Sequence, residues 1–284
     1  MSSMVKGIIG GNEFLTEVLV RGLTVHGPAE AYCVGHCSDQ LGMRLAAKCR
    51  VQYVKNITDL IPNSAILFLT FNPEDANNLL PRIAEKVKEW TLIVSAVHGL
   101  KIATLEYFFP NNEIIRLAVN PSIISGAGLG AYAGSQKAST DAKSMAEIVL
   151  KDCGDVIAVK DEKELEEIEK YLAANTFLSY VVIQTMIKNA KKIGMTSKEA
   201  NFAVDKLLKG SMHTLIDEGY DTADLISRGL KDKSVHNEAV ELIKSYGLDT
   251  EIMNSLKNPE PPVNPDENPN DDPKNYKMHY RWSR

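Results

Sequence analysis

The stretch GIIGGNEFLTEVLVRGL, Gly7–Leu23, decides the fold expected for this chain. An apolar run leads into a pair of glycines, and a segment with apolar residues at helical spacing follows. This order predicts a strand over Lys6–Gly10, a glycine turn, and a helix over Glu13–His26. A strand, a glycine turn and a helix in sequence are typical of the first unit of a dinucleotide-binding domain.

The turn departs from the G-x-G-x-x-G pattern of such units. Gly10 stands at the first glycine position, Asn12 at the second and Leu15 at the third. The first glycine permits the tight turn, the second lets the backbone approach a pyrophosphate, and the third permits close packing of the helix on the strand. One glycine of three therefore matches.

Two features of the stretch offset this mismatch. Asparagine tolerates left-handed backbone conformations better than most residues, so Asn12 is less unfavourable than another residue in place of the missing glycine. Gly11 lies beside it, so a shifted turn could present the amides of Asn12, Glu13 and Phe14 to phosphates at the helix N-terminus. The residues leave two alternatives open: a nucleotide-binding turn, or a Rossmann-shaped domain that has lost nucleotide binding.

The chain beyond the turn alternates strand-like and helix-like segments up to about residue 160. Ala65–Thr70, AILFLT, is a continuous apolar run, as expected for a parallel strand covered on both faces. The alternation predicts an α/β fold with a doubly wound Rossmann-like sheet. We therefore expect a dinucleotide-binding domain over residues 1–160.

Only helical patterns follow residue 160. Glu162–Ile193 has no proline or glycine, and its middle is almost wholly apolar. A helix this apolar is difficult to cover within one short domain, which predicts a homodimer built on an all-α domain over 161–253. Residues 254–284 are rich in proline and acidic residues at first, and they are expected to form a solvated tail or a docking segment.

Composition excludes several classes of protein. The 284-residue chain has a net charge of −5, which gives no basic surface for nucleic acid, and no apolar run long enough to span a membrane. Four cysteines do not suggest a disulfide framework, so a cytoplasmic location is expected. Cys33, His36, Cys37 and Cys49 lack a second close pair of ligands, so structural thiols are favoured and no metal site is predicted.

Three further stretches resemble motifs of one enzyme family. LTFNP, ending in Asn72 and Pro73, resembles the family motif AVKP, with asparagine in place of lysine. SAVHG over Ser95–Gly99 resembles SxxAG, with His98 in place of a small residue. The stretch EIIRLAVNPSIISGAG, from Glu113, resembles VVRVMPNTPALVGAG. Together with the opening stretch, these motifs resemble the pyrroline-5-carboxylate reductase family over about residues 5–246.

The resemblance implies a fold, a cofactor and a partner. Members of this family reduce a cyclic imine to proline with NADH or NADPH, and their helical domain forms dimers and sometimes larger rings. By this resemblance, Asn72 and Pro73 lie over the cofactor, and Ala96 and Val97 lie beside its nicotinamide. NADP or NAD is therefore the expected cofactor, and proline biosynthesis the implied pathway.

Two polar residues are candidates for catalysis. His98 follows a predicted strand at the end where α/β domains bind ligands, and it could protonate a developing amine. Asn120 could bind the substrate or the nicotinamide amide. The alternatives are a histidine that is only hydrogen-bonded at a strand end, and an asparagine that only forms the turn around Pro121.

Two departures from the family bear on the substrate. The family loop SPGGTT, which holds the imino-acid carboxylate, corresponds to SRGLKDKS over Ser227–Ser234, and Gly35–Asp39 offers no arginine for a 2′-phosphate. The hypothesis is an NAD(P)-dependent oxidoreductase that reduces a small cyclic imine or keto substrate other than, or besides, pyrroline-5-carboxylate. The alternative is a non-catalytic paralogue that serves as a ligand-binding or interaction module.

Overall fold

The computed structural model describes residues 5–231 together with Ser245, Gly247 and Thr250. Eight strands form one sheet: β1 (Val5–Gly10), β2 (Tyr32–His36), β3 (Gln52–Tyr53), β4 (Ser64–Thr70), β5 (Leu92–Ser95), β6 (Ile114–Val119), β7 (Gly128–Gly134) and β8 (Gly154–Ala158). The helices are α1 (Glu13–Val25), α2 (Asp39–Cys49), α3 (Ile57–Leu60), α4 (Ala76–Ala84), α5 (Ile102–Phe108), α6 (Thr140–Leu150), α7 (Glu162–Lys192), α8 (Ser197–Ile216) and α9 (Thr222–Lys231).

The sheet confirms the predicted doubly wound architecture. Its strand order is β3-β2-β1-β4-β5-β6-β7-β8, and β1 to β6 run parallel. β7 runs antiparallel to β6, and β8 is parallel to β7. The connection from β6 to β7 is too short for the crossover that a parallel strand would need, so the chain turns back on itself there.

Two apolar layers cover the sheet. Successive strand residues point to opposite faces, so Ile8 packs with helices α1, α2 and α6, whereas Ile9 packs with α3, α4 and α5. Both isoleucines are fully buried. The long apolar strands predicted for a parallel sheet therefore have a helical layer on each side.

The sequence also predicts a strand over Ala29–Gly35 and a helix over Pro73–Lys88, and both differ in extent from the observed elements. The strand predicted over Ala29–Gly35 begins at Tyr32, because Ala29–Ala31 form a 3₁₀ turn. The helix predicted over Pro73–Lys88 starts as a 3₁₀ turn over Pro73–Asp75 and ends at Ala84. Helix ends of this kind are often tightened into 3₁₀ turns, which apolar periodicity does not reveal.

The chain divides into two compact units, Met1–Thr176 and Phe177–Arg284. The first unit continues past the predicted boundary at residue 160 because the start of α7 forms ion pairs with strand β6, described below. The domain boundaries at 160 and 253 stay predictions. The predicted tail, 254–284, lies outside the described residues.

The second unit contains the remainder of α7, helix α8 and helix α9. The sequence predicts Thr196 as the cap of α8, and the structure confirms it. The Thr196 hydroxyl accepts from the Glu199 amide at 3.3 Å, and the Glu199 carboxylate accepts from the Thr196 amide at 2.8 Å. Several large apolar side chains of this unit are exposed, namely Phe177, Tyr180, Ile193, Phe202, Leu207, Met212 and Ile216. Of the altered loop Ser227–Ser234, the backbone of residues 227–231 continues α9, and the remainder lies outside the described residues.

Candidate functional site

The carboxyl ends of β1 and β4 form the natural ligand-binding crevice of this sheet. Connections from β1 run to one side of the sheet and those from β4 run to the other, so the two strands flank the switch point of the topology. Gly10 pairs with Thr70 at their ends. In doubly wound sheets, ligands bind in the crevice outside the strand ends at this point.

Both glycines of the turn are required by close packing. A Cβ at Gly10 would lie 2.6 Å from the Cδ2 of His36, and a Cβ at Gly11 would lie 2.8 Å from the Cβ of Phe71. Both separations are far below an ordinary carbon–carbon contact. Glycine is therefore needed here for the approach of the turn to β2 and to the end of β4.

Asn12 does not use the left-handed conformation that asparagine tolerates. Its backbone is extended, with φ −87° and ψ 111°, and it is the N-cap of α1. The side-chain carbonyl oxygen accepts from the Leu15 amide at 2.9 Å, as capping asparagines do. Asn12 thus replaces a glycine because it caps the helix, and it places no demand on backbone conformation.

The amides at the start of α1 divide into bound and free groups. The Asn12 amide donates to the Thr70 carbonyl at 3.0 Å, and the Thr16 amide donates to the Asn12 carbonyl at 2.9 Å. Within the described residues, the amides of Glu13 and Phe14 make no hydrogen bond to the protein. The first amides of a helix carry its positive dipole end, so these two groups are suited to bind an anion.

Asn72 connects the β4 loop to the glycine turn. Its side-chain carbonyl accepts from Asn12 Nδ2 at 2.9 Å, and its own Nδ2 donates to the Gly11 carbonyl at 3.3 Å. Pro73 then starts the 3₁₀ turn that precedes α4. These bonds hold the two loops of the crevice together before any ligand binds.

The side chains of Glu13 and Phe14 are exposed. The Glu13 carboxylate forms an ion pair with Arg44 of α2, and the Phe14 ring is 64% exposed. Neither side chain makes a hydrogen bond to the β4 loop in the described part of the chain. Neither side chain is therefore hydrogen-bonded across the crevice from α1 to the β4 loop, both of which the structure describes.

A polar cavity of about 240 Å³ lies between α1 and α2. Its lining combines two acidic, two basic and three other side chains: Glu13, Glu17, His36, Leu41, Arg44, Leu45 and Lys48. Lys48 pairs with Glu17 at 2.6 Å, parallel to the pair of Arg44 and Glu13. The segment Gly35–Asp39 has no arginine, and it does not indicate Arg44 and Lys48 as cations near the strand end. These two residues lie one and two helical turns further along α2.

His36 at the end of β2 is buried, and its ring accepts a hydrogen bond as a neutral imidazole does. Its Nδ1 accepts from the Ser38 amide at 3.0 Å, so Nε2 carries the proton, and that Nε2 has no hydrogen-bond partner. Burial lowers the pKa of the His36 imidazole, opposed by the nearby Glu13 carboxylate. This ring therefore resists protonation in the folded chain.

Ala96, Val97 and His98 follow β5 at the same edge of the sheet. Ala96 and Val97 are buried, and the Ala96 amide donates to the Leu69 carbonyl at 3.0 Å. The side chain of His98 is 78% exposed, and its Nδ1 lies 2.8 Å from a carboxylate oxygen of Glu169 on α7. The histidine is thus oriented by an acidic side chain that the sequence motifs did not indicate.

The two polar atoms of the Asn120 side chain differ, since the oxygen is hydrogen-bonded to the protein and Nδ2 is not, within the described residues. Its side-chain carbonyl accepts from the Leu129 amide at 3.0 Å, and its own amide donates to the Leu129 carbonyl at 3.1 Å. These bonds fix the turn between β6 and β7. Its Nδ2 makes no hydrogen bond within the described residues, and it remains available to a ligand.

Arg116 of β6 is the most buried cation of the described chain. Only 2% of its side chain is exposed, and its guanidinium contacts Glu162, Glu166 and Glu169 at 2.8, 3.0 and 3.1 Å. Burial acts to lower the pKa of Arg116, but the glutamates outweigh it and the net pKa is raised. The three glutamates recur at helical spacing, so one face of α7 binds to this edge of the sheet.

The cysteines show no grouping for a metal. The Cys33 thiol donates to the Gln52 side chain at 3.2 Å, and all four cysteines are unpaired. Within the described residues, no three histidine, cysteine, aspartate or glutamate side chains are placed to hold a metal ion. Nor is any helix in that part of the chain long and apolar enough to cross a membrane.

The fold and the crevice define the class of the protein: a Rossmann-like α/β domain followed by a helical region. No family model matches the sequence. Pyrroline-5-carboxylate reductase 2 of Bacillus subtilis is 23% identical over 217 residues, which cover 75% of this chain and 77% of the relative. The sequence and its relatives therefore support a resemblance to diverged pyrroline-5-carboxylate reductases.

Solved structures agree on the fold. The pyrroline carboxylate reductase of Plasmodium falciparum, crystallised with NADP bound, superposes with a TM-score of 0.74 at 16% identity, covering 90% of this chain and 95% of that one. The 1-pyrroline-5-carboxylate reductase of Streptococcus pyogenes also has a TM-score of 0.74, at 18% identity, with 89% and 95% covered. The predicted combination of a Rossmann-like domain and a helical region is thereby confirmed.

Proposed function

We propose that this protein is an NAD(P)H-dependent reductase of a small cyclic imine or keto substrate. One observation carries the proposal: the free amides of Glu13 and Phe14 lie at the N-terminus of α1, at the switch point of the sheet. Free helix N-terminal amides are the groups that bind a dinucleotide's diphosphate in this fold. The names of its relatives and the NADP bound to the Plasmodium structure support the same cofactor.

The residues of the crevice fit this cofactor. Gly10 and Gly11 keep the turn free of side chains next to the amides, and Asn72 and Pro73 border the opposite side. Ala96 and Val97 provide a buried apolar wall at the end of β5. When bound, the nicotinamide supplies the hydride.

Two polar groups then act on the substrate. Nε2 of His98 donates a proton to the nitrogen of the imine while the carbon receives the hydride, and Nδ2 of Asn120 orients the substrate by donating a hydrogen bond. General acid catalysis of this kind contributes about 10²- to 10⁴-fold to a rate. We infer that the substrate carboxylate is bound differently than in the family, because Ser227–Ser234 lacks the SPGGTT loop.

We further propose roles for the two domains, an oligomeric state and a location in the cell. Residues 1–160 bind the dinucleotide, and the helices of 161–253 form a homodimer or a larger ring. The exposed apolar side chains of α7 and α8 support this assembly. Four unpaired cysteines support a reducing, cytoplasmic environment.

The reaction is tested by following NADPH and NADH oxidation with a panel of substrates: pyrroline-5-carboxylate, 1-pyrroline without the carboxylate, and small keto acids. We expect turnover of at least one, and His98→Ala should lower kcat about 100-fold or more without raising KM for the cofactor. His26→Ala, which removes an exposed histidine elsewhere, is the control. Absence of oxidation of both cofactors with every substrate would contradict the proposal.

Two observations favour the non-catalytic alternative. The bond between Asn12 and Asn72 joins the two loops of the crevice, and Glu13 brings a carboxylate close to the expected diphosphate. A protein that binds neither NADPH nor NADH, yet forms the expected dimer, would be the ligand-binding or interaction module.

A further inference from the structure

A side-chain contact joins His98 to α7. Glu169 is the one glutamate of the three on this face of α7 whose carboxylate reaches the imidazole, at 2.8 Å from Nδ1. Glu162 and Glu166 bind Arg116 and the segment that leads into α5 instead. His98 therefore has a specific acidic partner.

Both oxygens of the Glu169 carboxylate are engaged. Oε1 faces Nδ1 of His98, and Oε2 lies 3.1 Å from Nη2 of Arg116. Arg116 is buried and pairs with Ser95 at the end of β5, three residues before His98. The sheet thus fixes the guanidinium, the guanidinium fixes the carboxylate, and the carboxylate contacts the ring.

The chemistry of the contact determines the tautomer of the ring. An ionised carboxylate only accepts hydrogen bonds, so the proton of neutral His98 lies on Nδ1 and Nε2 is left as the reactive nitrogen. A carboxylate that holds a catalytic imidazole in one tautomer and orientation is an established way of aiming a proton-transfer group.

We propose that Glu169, held by Arg116, is a positioning residue that aims Nε2 of His98 at the substrate. This inference rests on the proposed reductase function. In the step, the Nε2–H bond of the imidazolium breaks and an N–H bond of the product amine forms, while hydride from the cofactor adds to carbon. The ring is left neutral with its proton on Nδ1, still bonded to Glu169.

Glu169→Gln is the sharp test, because the geometry predicts what the new amide does. Arg116 can only donate, so the amide oxygen must face the guanidinium and the amide NH₂ must face Nδ1 of His98. This reverses the tautomer and places the proton of the neutral ring on Nε2. Glu166→Gln is the matched control, since Glu166 contacts Arg116 but lies on the other side, with Lys101.

The first readout is ¹⁵N NMR of histidine-labelled protein, with the His98 signals assigned by their loss in His98→Ala. Wild type and Glu166→Gln should show Nδ1 protonated in the neutral ring, and Glu169→Gln should show Nε2 protonated. The same tautomer in all three proteins would overturn the inference. This readout needs no turnover, so it decides whether Glu169 sets the tautomer of His98 even if the reductase proposal fails.

The second readout is a double-mutant cycle in kcat. Glu169→Gln should lower kcat about 10- to 100-fold with KM for NADPH unchanged, because it acts only through the orientation of His98. In the His98→Ala background, the same substitution should have no further effect on kcat. Equal losses in both backgrounds, or an equal loss in Glu166→Gln, would mean a structural ion pair and would overturn the inference. A protein inactive on every substrate overturns the reductase proposal, and the NMR result then stands alone.

Discussion

Asn12 serves a turn that lacks the second glycine of the G-x-G-x-x-G pattern. It caps α1, hydrogen-bonds Asn72 across the crevice, and donates its amide to Thr70. The position of the turn could be predicted from the sequence, since two glycines follow an apolar run. The role of Asn12 could not, because G-x-G-x-x-G describes where glycine is needed and does not describe how a different residue caps the helix.

Asn12→Asp keeps the cap of α1 and removes the hydrogen bond that Asn12 donates to Asn72 across the crevice. The aspartate keeps an acceptor for the Leu15 amide and suits a helix N-terminus, so the unfolding temperature should change by no more than a few degrees. It loses the donor to Asn72 and adds a negative charge beside the diphosphate. Calorimetric titration should therefore show NADPH affinity reduced by about tenfold or more. An unchanged affinity would contradict the location of the diphosphate.

His36 makes stability depend on pH. Its folded pKa is lowered by burial from an ordinary value of 6.5, so the unfolded chain takes up a proton first as the pH falls. The contribution of His36 is present above pH 6.5 and is lost as the pH falls through the lowered pKa, by up to about 1.4 kcal/mol per pH unit.

His36→Gln should remove this dependence. Urea denaturation between pH 7.5 and pH 5 should give a shallower loss of unfolding free energy in the variant than in wild type. His26→Gln, which removes an exposed imidazole, serves as the reference. Parallel curves for wild type and His36→Gln would show that His36 is not the group responsible.

Among the elements, the sheet follows from the sequence more directly than the ion pairs do. The apolar strands and the N-cap of α8 are visible in the printed residues, because periodicity and capping are local properties. The contacts of Arg116 with α7 join residues that are 46 to 53 positions apart, so no local pattern indicates them. The same is true of Arg44, which reaches Glu13 from a neighbouring helix.

Arg116→Met tests the connection of α7 to the sheet. It leaves three carboxylates together without their buried cation, so the free energy of unfolding should fall by about 2 to 3 kcal/mol. The fall is smaller than for a fully buried pair because each glutamate retains some contact with water. Denaturant titration measures it, with Glu166→Gln as the milder control. A loss below about 1 kcal/mol would mean that this cluster does not hold the helix in place.

For the whole molecule, the exposed apolar side chains of the second unit predict self-association. Phe202, Leu207 and Ile216 of α8 are each more than half exposed. Sedimentation equilibrium should give at least twice the 31.3 kDa of one chain. Leu207→Glu should shift the protein toward monomer, whereas Lys198→Glu, on the same helix, should not. A monomeric wild type at micromolar concentration would contradict the assembly.

We expect the backbone amides of Glu13 and Phe14 to bind the diphosphate of the cofactor. One pair of variants isolates the contribution of the Glu13 amide. Glu13→Pro removes the amide N–H at the first helical position, where proline is well tolerated, and the extended backbone of Asn12 suits a residue before proline. Glu13→Ala removes the same side chain and keeps the N–H. Both variants lose the ion pair with Arg44, so their difference reports the amide alone.

The most direct measurement is calorimetric titration of NADPH and NADH into wild type and these two variants. Thermal unfolding first checks that the two variants have similar unfolding temperatures. We expect wild type and Glu13→Ala to bind at least one cofactor, and Glu13→Pro to bind it about tenfold or more weakly, as for a lost hydrogen bond to a charged group. Equal affinity of the two variants, or no binding by wild type at millimolar cofactor, would contradict this expectation.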